Sequence, residues 1–142
     1  ICRLHVAGDL MCTGTIWGES DQRLKTNVKP LQSALQTILK LQGVSFNWKD
    51  ETNRHPGQNI GFIAQEVKEV LPEIVSGGGK DEEGNEIYHR IAYTALTPVL
   101  VEAIKELNSE NKELSEAIKK QQELINKLVE ELNAVKEQIK SN

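Results

Sequence analysis

The run VLVEAIKELNSENKELSEAIKKQQELINKLVEELNAVKEQIK, residues 99–140, repeats apolar side chains in alternating steps of three and four. With position a at Ile104, the a series continues through Asn111, Ile118, Ile125, Leu132 and Ile139. The d series is Leu107, Leu114, Gln121, Leu128 and Val135, with Leu100 as the d before it. An unbroken heptad pattern of this kind is the signature of a coiled coil. Glu131 and Lys136 stand at g and the following e, where charges select partner and register. Glu116 with Lys120, and Glu123 with Lys127, add i,i+4 support. A helix of about 45 residues would be roughly 70 Å long, far beyond the width of a small domain. It therefore needs partner helices. Ile at a with Leu at d, plus Asn111, favours two strands in simple peptides, and Gln121 at d weakens that preference. The pattern alone leaves dimer and trimer open.

Ahead of the helix, the 142-residue chain has room for one small domain. Its aromatics are Trp17, Phe46, Trp48, Phe62, Tyr88 and Tyr93, so a core drawn from residues 28–100 must be aliphatic and small. The net charge of −4 comes from interspersed charges of both signs. With no Lys/Arg block to track a phosphate backbone, nucleic acid is not an expected partner. Nothing in the sequence approaches a run of about 18 apolar residues, so no membrane span is expected. The chain starts mid-pattern at Ile1 without a signal peptide and reads as a piece of a longer polypeptide. Cys2 and Cys12 lack partners at disulfide-framework or metal-ligand spacing and read as small buried hydrophobes.

The expected fold is α+β, in three parts: a short β-stalk end (residues 1–19), a small mixed domain (20–98) and a coiled-coil helix (99–142). Residues 1–17 alternate loosely and break at Gly8-Asp9 and Gly14, as short strands do. So short a β segment needs neighbouring strands from elsewhere. Residues 30–41 carry a helical apolar stripe, with Pro30 suited to the first turn and Gly43 to the stop. Residues 44–48 alternate as a strand, 50–58 form a polar loop, and 65–71 form a helix ending before Pro72. Residues 73–75 and 87–91 read as strands around a flexible, glycine-rich hairpin loop, and helix resumes from Tyr93.

At the seam before the mixed domain stands Ser20-Asp21-Gln22-Arg23-Leu24-Lys25. A serine with a nearby amine is one of the few arrangements that cut a peptide bond without histidine. Its place at a domain junction suggests that the bond is the chain's own. The bland alternative is a capped turn with Ser20 or Asp21 at a helix N-terminus and Lys25 in water.

This motif is followed by Gly61-Phe62-Ile63-Ala64-Gln65-Glu66-Val67, Leu71-Pro72-Glu73-Ile74-Val75 and Tyr93-x-Ala95-Leu96-x-Pro98-Val99-Leu100. With the terminal coil, these runs resemble the intramolecular chaperone domain of endosialidase-type phage tail spikes and neck appendages, peptidase family S74. The resemblance covers about residues 20–142, and nothing departs from the motif. It implies a homotrimer that templates folding of its own upstream β-stalk and then severs itself on the N-terminal side of the motif serine. The scissile bond would be Glu19–Ser20. The chain would act as a single-turnover serine endopeptidase of Ser–Lys type. The resemblance also implies assembly in the host cytoplasm of a tailed bacteriophage, with the stalk kept in the virion tail and the released domain absent from it.

Ser20 Oγ would attack the Glu19 carbonyl, giving an ester that water hydrolyses. Lys25 is the expected base, and only as a free amine, which burial or a neighbouring cation such as Arg23 would favour. Asp21 is the alternative base or an orienter. His55, His89 and Gln65 are supporting candidates near the cut, the histidines also readable as structural or solvated groups and Gln65 as a satisfied core group. No metal or organic cofactor is required. Residues 76–80, Ser-Gly-Gly-Gly-Lys, leave room for an anion or nucleotide at Gly77–Lys80, but lack the phosphate-loop spacing. The competing functions are a permanent trimerisation foot of a fibre or adhesin, and a module that frees a transcription factor from a membrane. The glycine-punctuated segment before Ser20 argues for a fibre.

Overall fold

The computed structural model describes residues 10–49 and 57–141. A 3₁₀ turn, Gln22–Leu24, opens the mixed region. Helix α1 (Ala34–Ile38), strand β1 (Val44–Asn47), strand β2 (Gln58–Gly61) and helix α2 (Ala64–Val70) follow in order. A second 3₁₀ turn, Pro72–Ile74, leads into strand β3 (Val75–Ser76). Strand β4 (Arg90–Ile91), a third 3₁₀ turn (Tyr93–Ala95) and helix α3 (Leu96–Lys140) complete the chain. The α+β character and the long terminal helix match expectation.

Among the described residues there are two small antiparallel sheets. In the first, β1 pairs with β2 in the register Val44↔Gly61 to Asn47↔Gln58. Gly61 is buried because the Tyr93 hydroxyl fills the space a side chain would need: a Cβ there would lie 2.7 Å from Tyr93 Oη. That hydroxyl accepts the Phe62 N–H at 3.1 Å, and the two rings stack with centroids 6.1 Å apart. Two of the sequence motifs thus meet at one contact.

In the second sheet, Val75 pairs with Ile91 and Ser76 with Arg90. The expected strand at residues 73–75 is mostly a 3₁₀ turn. Pro72 has its φ preset for such a turn and no N–H for a ladder. The glycine loop is a hydrogen-bonded turn rather than an open tip. Gly78 N–H bonds Ile87 O, Ile87 N–H bonds Gly79 O, and the Asp81 carboxylate accepts the Glu83 and Asn85 N–H groups. Gly77 and Gly78 sit at φ +81° and +89°, where added side chains would strike Tyr88 O and the His89 ring.

The core has two joined clusters. Ala34 and Leu35 of α1 pack on Val99 and Ala103 of α3; Val67 of α2 packs with Ile74 and Leu96. Ile38 and Leu71 touch both. Helix α1 is shorter than the expected 30–41. Ser33 adopts a left-handed backbone (φ 55°, ψ 34°) that ends any helical run from Pro30, and its side chain caps nothing. Instead, Glu106 of α3 reaches across. Its two carboxylate oxygens accept the Ala34 N–H at 3.0 Å and the Leu35 N–H at 2.8 Å, taking two otherwise unpaired amides of the first turn.

Residues 10–19 form no strand and lie exposed, including Met11 and Trp17, each 89% exposed. Among the described residues none pairs with them as a strand. Cys12 is exposed, its thiol 3.4 Å from Gly14 O, which corrects its reading as a buried hydrophobe. Cys2 lies outside the described residues.

Helix α3 runs unbroken for 45 residues. Its buried residues are Leu96, Val99 and Ala103, all in the first turns. Beyond them the heptad residues are open to solvent: Ile104 at 64%, Leu128 at 63% and Ile139 at 71%. No helix of the described residues is long and apolar enough to cross a membrane.

Candidate active site

Asp21 sets the local geometry. Its extended backbone (φ −64°, ψ 135°) suits an N-cap, and its carboxylate accepts the Arg23 N–H at 2.8 Å. The turn closes through Leu24 N–H to Asp21 O at 3.1 Å and Lys25 N–H to Gln22 O at 3.0 Å. The Arg23 guanidinium folds onto the same carboxylate. Nε lies 3.0 Å from Oδ1 and 3.2 Å from Oδ2, and Nη2 lies 2.7 Å from Oδ2. These bonds hold the Asp21 carboxyl below its ordinary pKa and Arg23 above its own, first through the side-chain contact between them.

The turn brings Lys25 back over the start of the motif. Lys25 Nζ lies 2.6 Å from Ser20 Oγ and donates to Ser20 O at 3.0 Å. A hydroxyl and an amine within hydrogen-bond reach meet the geometric requirement for a nucleophile and its base. All six residues of the motif are exposed. Glu19, Ser20, Asp21, Arg23 and Leu24 line a shallow, open hollow on this surface.

Asp21 and Arg23 make their side-chain contacts with each other. Both Asp21 oxygens are occupied by Arg23 donors, and no contact joins them to Ser20 Oγ. Arg23, in turn, has its charge matched by Asp21 rather than turned on Lys25. Gln65 lies exposed on α2, and none of the described hydrogen bonds joins it to Ser20. His89 is half-buried beneath Gly78, with Nε2 3.3 Å from Lys68 Nζ, and it also makes no bond to Ser20. His55 lies outside the described residues.

The Ser20 backbone oxygen as a second acceptor for Lys25 is a feature that sequence reasoning missed, and no residue type announces it. At the glycine loop, Lys80 pairs at 3.9 Å with Glu86, close to Asp81 and its acidic neighbours. Among the described residues, no group of three His, Cys, Asp or Glu side chains is placed to hold a metal ion.

Fold and site together define a small mixed head, with a serine–lysine turn at its start and a long helix at its end. Residues 20–76 match the family model Peptidase_S74, described as chaperone of endosialidase. The long tail fibre protein Gp37 of Enterobacteria phage K3 is 37% identical over 101 residues, 68% of this chain and 8% of that protein. Gp37 of Enterobacteria phage T2 is likewise 37% identical over 101 residues, 68% of this chain and 7% of that protein. The myelin regulatory factor homolog 1 of Caenorhabditis elegans is 34% identical over 106 residues, 65% of this chain and 11% of that protein. A solved structure described as a novel intramolecular chaperon aligns with a TM-score of 0.46 and 18% identity, covering 64% of this chain and 99% of that one. The chain spans under a tenth of the length of the K3 and T2 fibre proteins. The likeness to the chaperone-of-endosialidase family, Peptidase_S74, thus covers residues 20–76, the mixed head up to strand β3.

Proposed function

We propose that this chain is a self-cleaving trimerisation chaperone of a phage tail fibre or spike. Three copies associate through α3, assist folding of the β-stalk that ends at residue 19, and then cut Glu19–Ser20 in each chain. The observation that carries this reading is the 2.6 Å approach of Lys25 Nζ to Ser20 Oγ, immediately after the proposed scissile bond.

In the first step Ser20 Oγ attacks the Glu19 carbonyl carbon as Lys25, in its amine form, takes the hydroxyl proton. Collapse of the tetrahedral species breaks the Glu19 C–Ser20 N bond, and the proton passes to the leaving amine. The product is an ester between the Glu19 carbonyl and Ser20 Oγ. Water then hydrolyses it, leaving a Glu19 carboxylate, the free Ser20 hydroxyl and a new α-amine at residue 20. Lys25 is exposed in the single chain. Subunit packing that covered it would favour its neutral form, and so tie cutting to assembly. The reaction occurs once per chain and calls for no metal or organic cofactor.

The competing reading is a permanent trimerisation foot. It shares the coil and lacks the cut, and the exposed heptad face supports either one equally. Mass spectrometry of the full parent protein under denaturing conditions separates them, beside Ser20→Ala and Lys25→Ala. Self-cleavage gives a wild-type fragment that begins at Ser20 and is absent from both variants. A wild-type chain that stays whole as a trimer rejects the peptidase and leaves the foot.

A further inference from the structure

Ser20 and Lys25 are five residues apart, a separation that in extended chain approaches roughly 17 Å. Their contact exists because the intervening chain turns back on itself. Two backbone bonds close that turn, Leu24 N–H to Asp21 O and Lys25 N–H to Gln22 O. Neither is large protection in a fully exposed segment, where water competes for every amide. What distinguishes this turn is the Asp21 carboxylate. It accepts the Arg23 backbone N–H from inside the turn and the Arg23 Nε and Nη2 from outside, so one side chain is clamped at both ends.

We infer that Asp21 and Arg23 are positioning residues whose clamp holds the turn that sets the Lys25 amine against the Ser20 hydroxyl. The inference rests on the cleavage reading above and assigns these two residues their part in it. It replaces the role of Asp21 as an alternative base. A carboxylate whose oxygens are filled by a guanidinium and an amide loses affinity for a proton, which is the opposite of what a base needs. It also replaces the role of Arg23 as a field acting on Lys25, since its charge is matched at 2.7 Å by Asp21.

The second Lys25 contact fits this division of labour. A neutral amine has two N–H groups and one lone pair. Donation of one N–H to Ser20 O at 3.0 Å leaves the lone pair free to receive the Ser20 Oγ proton at 2.6 Å. The amine is thus oriented by the backbone of the nucleophile it serves. Both contacts depend on the course of residues 20–25, which the Asp21–Arg23 clamp governs.

The test follows cleavage of the full parent chain after a short pulse of cell-free synthesis, with trimer formation checked in parallel. Asp21→Ala removes cap and clamp, and the expected slowing is roughly 10- to 100-fold, the scale of a 1 Å misplacement of reacting groups. Asp21→Asn keeps an oxygen that caps the turn but cannot act as a base. It is expected to recover most of that loss, with the midpoint of the pH–rate profile unchanged. Arg23→Ala keeps its backbone N–H and loses only the guanidinium, so it should fall between the two. Equal and complete loss in Asp21→Asn and Asp21→Ala would make Asp21 the base and overturn the proposal. A wild-type rate in Asp21→Ala would overturn it as well, while leaving the serine–lysine reading standing. A wild-type chain that never cuts removes that reading itself, a result distinguishable from both.

Discussion

The two ends of α3 belong to different worlds. From Leu96 to Ala103 the helix is part of a globular core, sharing its buried face with α1 and α2. From Ile104 onward the same helix presents Ile118, Leu128 and Ile139 to solvent at 56%, 63% and 71% exposure. Apolar residues recur along its whole length, more densely at the start; what changes is whether this chain supplies the other half of the contact. Buried apolar area is what makes a long helix stable in water, so the first part is held from within, while the second carries an apolar seam that none of the described residues cover.

The most forceful way to break that contrast is to charge the seam. Ile118→Asp combined with Ile125→Asp should abolish association altogether, giving monomers by sedimentation at concentrations where the parent is oligomeric. If the helix packs only on its own head, the variant will sediment as the parent does. A substitution on the other side of the divide should behave differently. Ile74→Ala opens a hole beside Val67 and Leu96, and should lower head stability by about 2–4 kcal/mol. Urea denaturation of a coil-disrupted background would read that loss without any dependence on protein concentration.

The smallest expected effect falls on the joint between the two regions. Glu106 sits where the buried part of α3 gives way to the open part, and its carboxylate caps α1 at Ala34 and Leu35. Glu106→Ala should cost about 1 kcal/mol, the usual scale of a lost cap. Faster hydrogen exchange at the Ala34 and Leu35 amides is the expected local signature. If those amides keep their protection, the cap is dispensable and the joint is held by packing alone.

The same contrast explains what could be read beforehand. Helix α3 was legible because a heptad repeat is a local pattern repeated many times, and α2 because Pro72 marks its end so clearly. The serine–lysine motif could be singled out for the same reason: everything that brings the two residues together lies within six positions. The left-handed Ser33 and its remote cap were not legible, since Glu106 lies more than seventy residues from the amides it serves. Nor was the close fit of Tyr93 against Gly61, although both residues stood in quoted motifs. The β reading of residues 10–17 met the opposite difficulty. Strand pairing is a property of neighbours, and the described residues after Glu19 offer none.

That locality of the serine–lysine turn bears on time. A short turn forms on the scale of about a microsecond or less, whereas docking and assembly of subunits take milliseconds to minutes. The Ser20 hydroxyl and the Lys25 amine therefore meet within a single chain long before separate chains could dock. For a domain that cuts only after its client has folded, geometry cannot be the clock. Whatever holds back the proposed cut would have to be a change in the surroundings of Ser20 and Lys25, not the approach of one to the other.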